Sequence, residues 1–200
     1  MAGRLYLPKG FDAARSYPAI VTVHPAGGVK EQAASLYSQE LAEQGFVTLA
    51  YDAAYQGESG GEPRQVENPY VRTEDVMAAV DFLTTRPFVN PGRIGVLGIC
   101  CGGYGAAATM RDRRIKALGT VSAVNIGDGT RYSWGGRETP ESQGLMAQLE
   151  VVASLRSAQT AGAEAEYVEL TPKSLEGITL PDMIEAHECY HTPAPSTPTP

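Results

Sequence analysis

Short apolar runs alternate along this chain with stretches whose apolar residues recur every three or four positions. Ala19-Ile20-Val21-Thr22-Val23 is a β-branched run that ends in His24-Pro25-Ala26-Gly27-Gly28, the pattern of a buried strand entering a glycine-rich turn. Lys30 to Gln44 carries Ala33, Leu36, Tyr37 and Leu41 at helical spacing and stops at Gly45, a suitable residue to follow a helix end. Phe46 to Tyr51 reads as a second strand, ending at Asp52. Thr73 to Thr85 reads as a second helix, with Val76, Val80 and Leu83 on one face, Thr73 as its N-cap and Pro87 forcing its end. Arg93 to Ile99 is a third strand that turns at once into the small-residue helix start Cys101 to Ala108, and Ile115 to Val124 is a fourth strand. Residues 4–7 are expected to add an antiparallel edge strand.

The strands are continuous apolar runs, so both of their faces are buried. The pattern therefore predicts an α/β fold with a doubly wound, mostly parallel sheet and helices on both faces. After Asn125 the pattern changes. Residues 128–138 form a Gly- and Arg-rich loop, and Thr139 to Gln159 is helical through Leu145, Leu149, Val152 and Leu155. Ala165 to Leu170 is a short extended piece, and Thr179-Leu180-Pro181-Asp182 opens one more helix, to about Tyr190. The expected organisation is a partial core over 1–127, a small helical cap over 128–192, and a Pro-rich disordered tail over 193–200, where proline supports neither helix nor ladder.

Composition narrows the function classes. Two hundred residues suffice for one domain with a real core and a small cap. The net charge of -7, without any Lys/Arg run, argues against nucleic acid or an anionic membrane as partner. No run approaches the ~20 apolar residues of a membrane span, and Met1 to Pro8 lacks a signal-peptide pattern. The three cysteines are an odd count with no C-x-x-C pair, so a reducing, cytoplasmic setting without disulfides is expected.

The chemistry concentrates at Gly98-Ile99-Cys100-Cys101-Gly102, a G-x-Nuc-x-G arrangement between strand and helix. A nucleophile at such a corner sits on a strained turn, and the residues two before and two after it face each other so closely that both must be nearly free of side chain. The N-terminus of the following helix favours negative charge there, which would raise the thiolate fraction of Cys100. The N–H of Cys101 would form half of an oxyanion hole, and the N–H of Ala26, in the loop after the earlier strand, the other half. Two alternatives stay open on the pentapeptide alone. The glycines could serve only helix–strand packing around a small buried cysteine. Cys101 could instead be the nucleophile, although Ile99 would then stand where bulk clashes.

With these segments in place the chain resembles the dienelactone hydrolase branch of the α/β-hydrolases, and more closely the bacterial hydrolases related to it. The likeness rests on Gly98-Ile99-Cys100-Cys101-Gly102-Gly103, on His24-Pro25 through Gly27 to Gln32, on Tyr55 to Pro63, on Arg93 to Gly103 and on Arg114 to Val124. It implies an α/β-hydrolase core whose acid and histidine follow two later strands, and no strand-like run follows Leu170 here. Many such relatives carry one more residue in the elbow, a serine, which leaves only cysteine to attack in this chain. The resemblance also implies that the chain is truncated. Relatives continue with a stretch like Arg-Ala-Gln-His-Pro-Asn, which read one base out of frame gives Ala-Pro-Ser-Thr-Pro-Thr, residues 194–199. A frameshift with early termination is the expectation.

Among possible partners for Cys100, His24 ends a strand beside the expected oxyanion loop, where pinning that loop is favoured over general-base work. Asp128 follows the last strand, where some α/β-hydrolases place their acid, though its glycine neighbours suit turn chemistry. Asp52 is expected to order its own loop. His187-Glu188-Cys189-Tyr190-His191 spells H-E-x-x-H on a helix, but only nine residues follow and none can supply a third zinc ligand, so no metal is expected. The elbow lacks G-x-G-x-x-G, which argues against a dinucleotide, and no cofactor is expected. The sequence thus predicts hydrolysis of a small-molecule ester, lactone or thioester through Cys100. The alternatives are a catalytically inactive remnant or ligand-binding module and, ranked last, a zinc hydrolase. Loss of the later strands would bare a sheet edge, a route to a homo-oligomer.

Overall fold

The computed structural model describes residues 1–100, 103–128, 142–169 and 171–191. Its strands are β1 (Gly3–Tyr6), β2 (Tyr17–Val23), β3 (Val47–Tyr51), β4 (Val89–Ile99) and β5 (Ile115–Val121). Its helices are α1 (Ala33–Glu43), α2 (Pro69–Thr84), α3 (Gly103–Arg111), α4 (Ser142–Thr160) and α5 (Pro181–His191). The strands form one sheet in the order β1-β3-β2-β4-β5. β1 is antiparallel to β3, pairing Gly3 with Tyr51 and Tyr6 with Thr48, and the remaining pairs are parallel. This is the α/β architecture that the apolar runs imply, with the edge strand where residues 4–7 placed it.

The order of strands decides where the helices go. The chain leaves β2 in one direction to reach β3, then crosses back over β2 to reach β4 and continues to β5. Right-handed crossovers put α1 on one face of the sheet and α2 and α3 on the other. The contacts agree, with α1 against β1, β2 and β3, and α2 and α3 against each other and against β4. Val21, Val23, Val47, Val76, Val80, Leu83, Val96 and Ile115 fill the core. β2 and β4 are neighbours, with Val23 opposite Gly98, and their carboxyl ends feed connections that run in opposite directions. That junction is the switch point at which open α/β sheets leave a crevice. His24 and Ala26 follow one of these ends, and Cys100 follows the other.

Several boundaries differ from the sequence expectation. α2 starts at Pro69, capped by the Asn68 side chain, which accepts from the amides of Tyr70 at 3.0 Å and Val71 at 3.4 Å. Thr73 lies inside the helix and donates to the Pro69 carbonyl at 2.8 Å. Asparagine is the stronger cap, and proline preorganises the first helical position. β5 ends at Val121, because Ser122 turns to φ 47°, and Lys116 to Thr120 of this strand are exposed. Residues 163–169 form no strand.

The contacts divide the chain into two units, Met1–Val152 and Ala153–Pro200, a boundary that falls inside α4. Leu149, Val151 and Val152 of α4 are exposed. No helix among the described residues is long and apolar enough to cross a membrane. Of the loop expected over 128–138, residue 128 lies in a helical turn and 129–138 lie outside the described residues, as does the tail expected over 193–200.

Candidate active site

At the end of β4 the backbone turns sharply. Cys100, half-buried, has φ 58°, in the left-handed region that residues with a side chain enter only where surrounding structure holds them. Two backbone bonds do so here. The Cys100 amide donates to the Val121 carbonyl at 2.9 Å, and the Cys100 carbonyl accepts from the Val124 amide at 2.7 Å. α3 begins three residues later and lies close against β4. A Cβ on Gly105 would stand 2.9 Å from Val96 Cγ1 and 3.9 Å from the Cα of Gly98, so the glycines permit this approach. Cys101, whose amide is the expected second oxyanion donor, lies outside the described residues.

The loop after β2 meets this corner across the switch point. Gly27 at φ 64° and a bond from the Gly28 amide to the Pro25 carbonyl at 3.1 Å make it a tight turn. The Ala26 amide donates to no group among the described residues, as an oxyanion donor requires. His24 is fully buried beneath this turn. Its Nδ1–H donates to the Pro25 carbonyl at 2.6 Å, and its Nε2 accepts from the Ala53 amide at 3.0 Å and from Arg72 Nη1 at 2.9 Å. Burial, reinforced by the Arg72 charge, pushes the His24 imidazole down to about 4. Both ring nitrogens of this neutral histidine are engaged in holding the loop.

A second set of buried charges joins the far end of the same loop to the segment after β3. The Asp52 carboxylate is inaccessible to solvent and accepts from the Lys30 amide at 2.7 Å, Lys30 Nζ at 2.8 Å and the Glu58 amide at 2.9 Å. Burial alone would raise the Asp52 carboxyl, but the bonds from Lys30 and Glu58 outweigh it and hold it below the usual range. Gly57, at φ 46°, leaves room for that carboxylate, since a Cβ there would lie 2.4 Å from Asp52 Oδ2. Asp52 thus orders two loops at once.

Arg72 is a residue that the sequence reading missed. It is 1% exposed, at the first turns of α2. Its Nη2 donates to the His24 carbonyl at 2.6 Å, its Nε lies 3.1 Å from Glu67 Oε1, and its guanidinium carbon stands 5.2 Å from the centre of the Tyr104 ring on α3. Glu67 in turn accepts from the Gly27 amide at 3.4 Å. A signal was available, because Arg72 lies one turn before Val76 and Val80 on the same buried stripe. An arginine so placed is either a misfit or a paired core residue. Nearby, Asp75 accepts from the Ala54 amide at 2.8 Å, and burial pushes its carboxyl up.

The remaining sequence candidates make local contacts. Asp128 ends a helical turn over 126–128, where its side chain accepts from Asn125 Nδ2 at 3.0 Å and its amide donates to Asn125 Oδ1 at 3.2 Å. His187 and His191 stack on α5 with ring centres 5.4 Å apart. His187 Nδ1 bonds the Pro172 carbonyl at 2.9 Å, and His191 Nε2 lies 2.8 Å from Thr171 Oγ1. Among the described residues no third His, Cys, Asp or Glu joins this pair.

The dienelactone hydrolase family matches the chain over residues 1–123, the stretch that holds both the His24 loop and the Cys100 corner. The chain belongs to that family. This member is 50% identical over 196 residues to YcjY of Escherichia coli (strain K12), covering 98% of this chain and 63% of YcjY. It is 30% identical over 174 residues to the thiohydrolase aneE of Aspergillus aculeatus, covering 86% of this chain and 51% of aneE. The crystal structure of the hypothetical protein PA2218 from Pseudomonas aeruginosa superposes with a TM-score of 0.84 at 38% identity, covering 94% of this chain and 58% of that one. The chain therefore spans half to two-thirds of the length of these relatives. The sheet, helices and register described above are those of an α/β-hydrolase core.

Proposed function

We propose that this dienelactone hydrolase family member cleaves ester, lactone or thioester bonds of small acyl substrates, with Cys100 as nucleophile. The observation that carries the reading is the positive φ of Cys100 at a strand-to-helix corner beside a loop with an open amide. In this scheme the Cys100 sulfur attacks the acyl carbonyl, and the displaced electron pair moves onto oxygen, where the amides of Ala26 and Cys101 receive it. Collapse breaks the bond to the leaving oxygen or sulfur, which takes a proton from water as it departs (in a lactone, as the ring opens), and leaves a thioester on Cys100 that a second water hydrolyses to the acid, regenerating the thiol. The name thiohydrolase, borne by a relative of 30% identity, favours thioesters within this class. Substrate would enter at the switch point between β2 and β4, and the exposed β5 edge suits pairing with a second copy.

A second reading, an acyl-binding or catalytically slow form, is favoured by the commitment of His24 to its loop. p-Nitrophenyl acetate and a short acyl thioester distinguish the two. Continuous turnover abolished by Cys100→Ala is expected for the hydrolase. One equivalent of p-nitrophenolate, with an acetyl group retained on Cys100, marks the slow form. Release unchanged in Cys100→Ala would sink both.

A further inference from the structure

We infer that Arg72 is a positioning residue that sets where the Ala26 amide stands relative to the Cys100 corner by tying the loop after β2 to the first turn of α3. The inference rests on the reading of Cys100 as nucleophile and extends it to a buried side chain on α2.

One guanidinium touches three parts that must keep register. Its Nη groups bond the His24 carbonyl at 2.6 Å and the His24 ring at 2.9 Å, at the root of the loop that carries Ala26. Its Nε lies 3.1 Å from Glu67 Oε1, an ion pair without hydrogen-bond alignment, and the other oxygen of Glu67 accepts a long bond of 3.4 Å from the Gly27 amide next to Ala26. Its guanidinium carbon lies 5.2 Å from the centre of the ring of Tyr104, the second residue of the helix that follows the Cys100 corner. Arg72 is 1% exposed, so it cannot serve as a surface charge. Its geometry uses the features that separate arginine from lysine, a fixed fork of donors and a flat face for stacking. Ala26 and Cys100 follow different strands, β2 and β4. A rigid bridge between their carriers is what preorganised oxyanion stabilisation needs.

The test separates oxyanion stabilisation from thiol reactivity. Acylation of Cys100 by p-nitrophenyl acetate passes through a tetrahedral oxyanion. Alkylation by iodoacetamide displaces iodide at carbon and develops no oxyanion. Both rates are measured on the full chain at pH 8.5, with the modified thiol located by peptide mass mapping. In Arg72→Lys, acylation of Cys100 is expected to fall roughly 30- to 100-fold, the scale of a misplaced or lost oxyanion donor, while alkylation changes by less than about threefold. If Arg72→Lys does not fold by circular dichroism, Tyr104→Leu carries the test. It removes the stacking face, keeps the His24 bonds, and is expected to lower the acylation-to-alkylation ratio about three- to tenfold. Equal losses in both rates would mean that Arg72 merely supports the corner, and no loss in either would mean that it supports nothing there. Both results overturn the inference. A parent chain whose Cys100 is alkylated but never acylated overturns the nucleophile reading and this inference with it, whereas a parent–variant ratio of one overturns this inference alone.

Discussion

Acidification should destabilise this protein through His24 before most of its carboxylates titrate. An ordinary histidine takes up a proton near 6.5, but in the native state burial and Arg72 push this one down to about 4. Between those values the unfolded chain binds a proton that the native chain refuses, so stability falls as pH falls. The effect is nearly absent at pH 7. It reaches about 2 kcal/mol at pH 5 and about 3 kcal/mol at pH 4, from the ratio of the two protonation polynomials. Because His24 is fully buried, solvent does little to screen this effect. The comparison is with His24→Gln, which keeps an acceptor for the Ala53 amide and removes the titrating ring. Urea denaturation of both proteins at pH 7, 6, 5 and 4.5 should show the parent losing about 2 kcal/mol more than the variant between pH 7 and 5. Asp52, held below the usual carboxylate range, titrates outside this window. Asp75, pushed up by burial, acts with the opposite sign but is common to both proteins. Parallel stability–pH curves for parent and variant would refute the reasoning, because they would mean that His24 titrates alike in the folded and unfolded states.

Lys30→Met should cost about 3–5 kcal/mol, because it strands the buried Asp52 carboxylate without its cation, and adding Asp52→Asn should restore part of that loss. A urea midpoint within 0.5 M of the parent would count against this pairing. Gly57→Ala should cost about 2–4 kcal/mol, since the new methyl meets Asp52 at a position already at positive φ. Gly60→Ala is the control, with nothing within 4 Å of the added carbon, and similar losses for the two in thermal melts would discount the clash.

How much was legible in advance differs between the fold and the site. The β-branched runs and the glycine pair around Cys100 are local patterns, and they located every parallel strand and the strand-to-helix corner. The cap of α2 was misplaced because the apolar stripe begins at Val76, whereas the helix starts two turns earlier on the strength of Asn68 and Pro69. Arg72 and Glu67 drew no assignment from the sequence. Nothing along the chain says that β3 and α2 come back over β2, which is what buries Arg72 against His24 and Tyr104.

Sequence alone determined the class of fold and the candidate nucleophile, because strand patterning, turn chemistry and the glycine requirement act between residues a few positions apart. Tertiary structure decided what braces the loops after β2 and β3. It made His24 a neutral brace, joined Lys30 to Asp52, and set Arg72 between the loop and the elbow helix. Those outcomes depend on burial and on which strand ends become neighbours at the switch point, and both are properties of the assembled sheet.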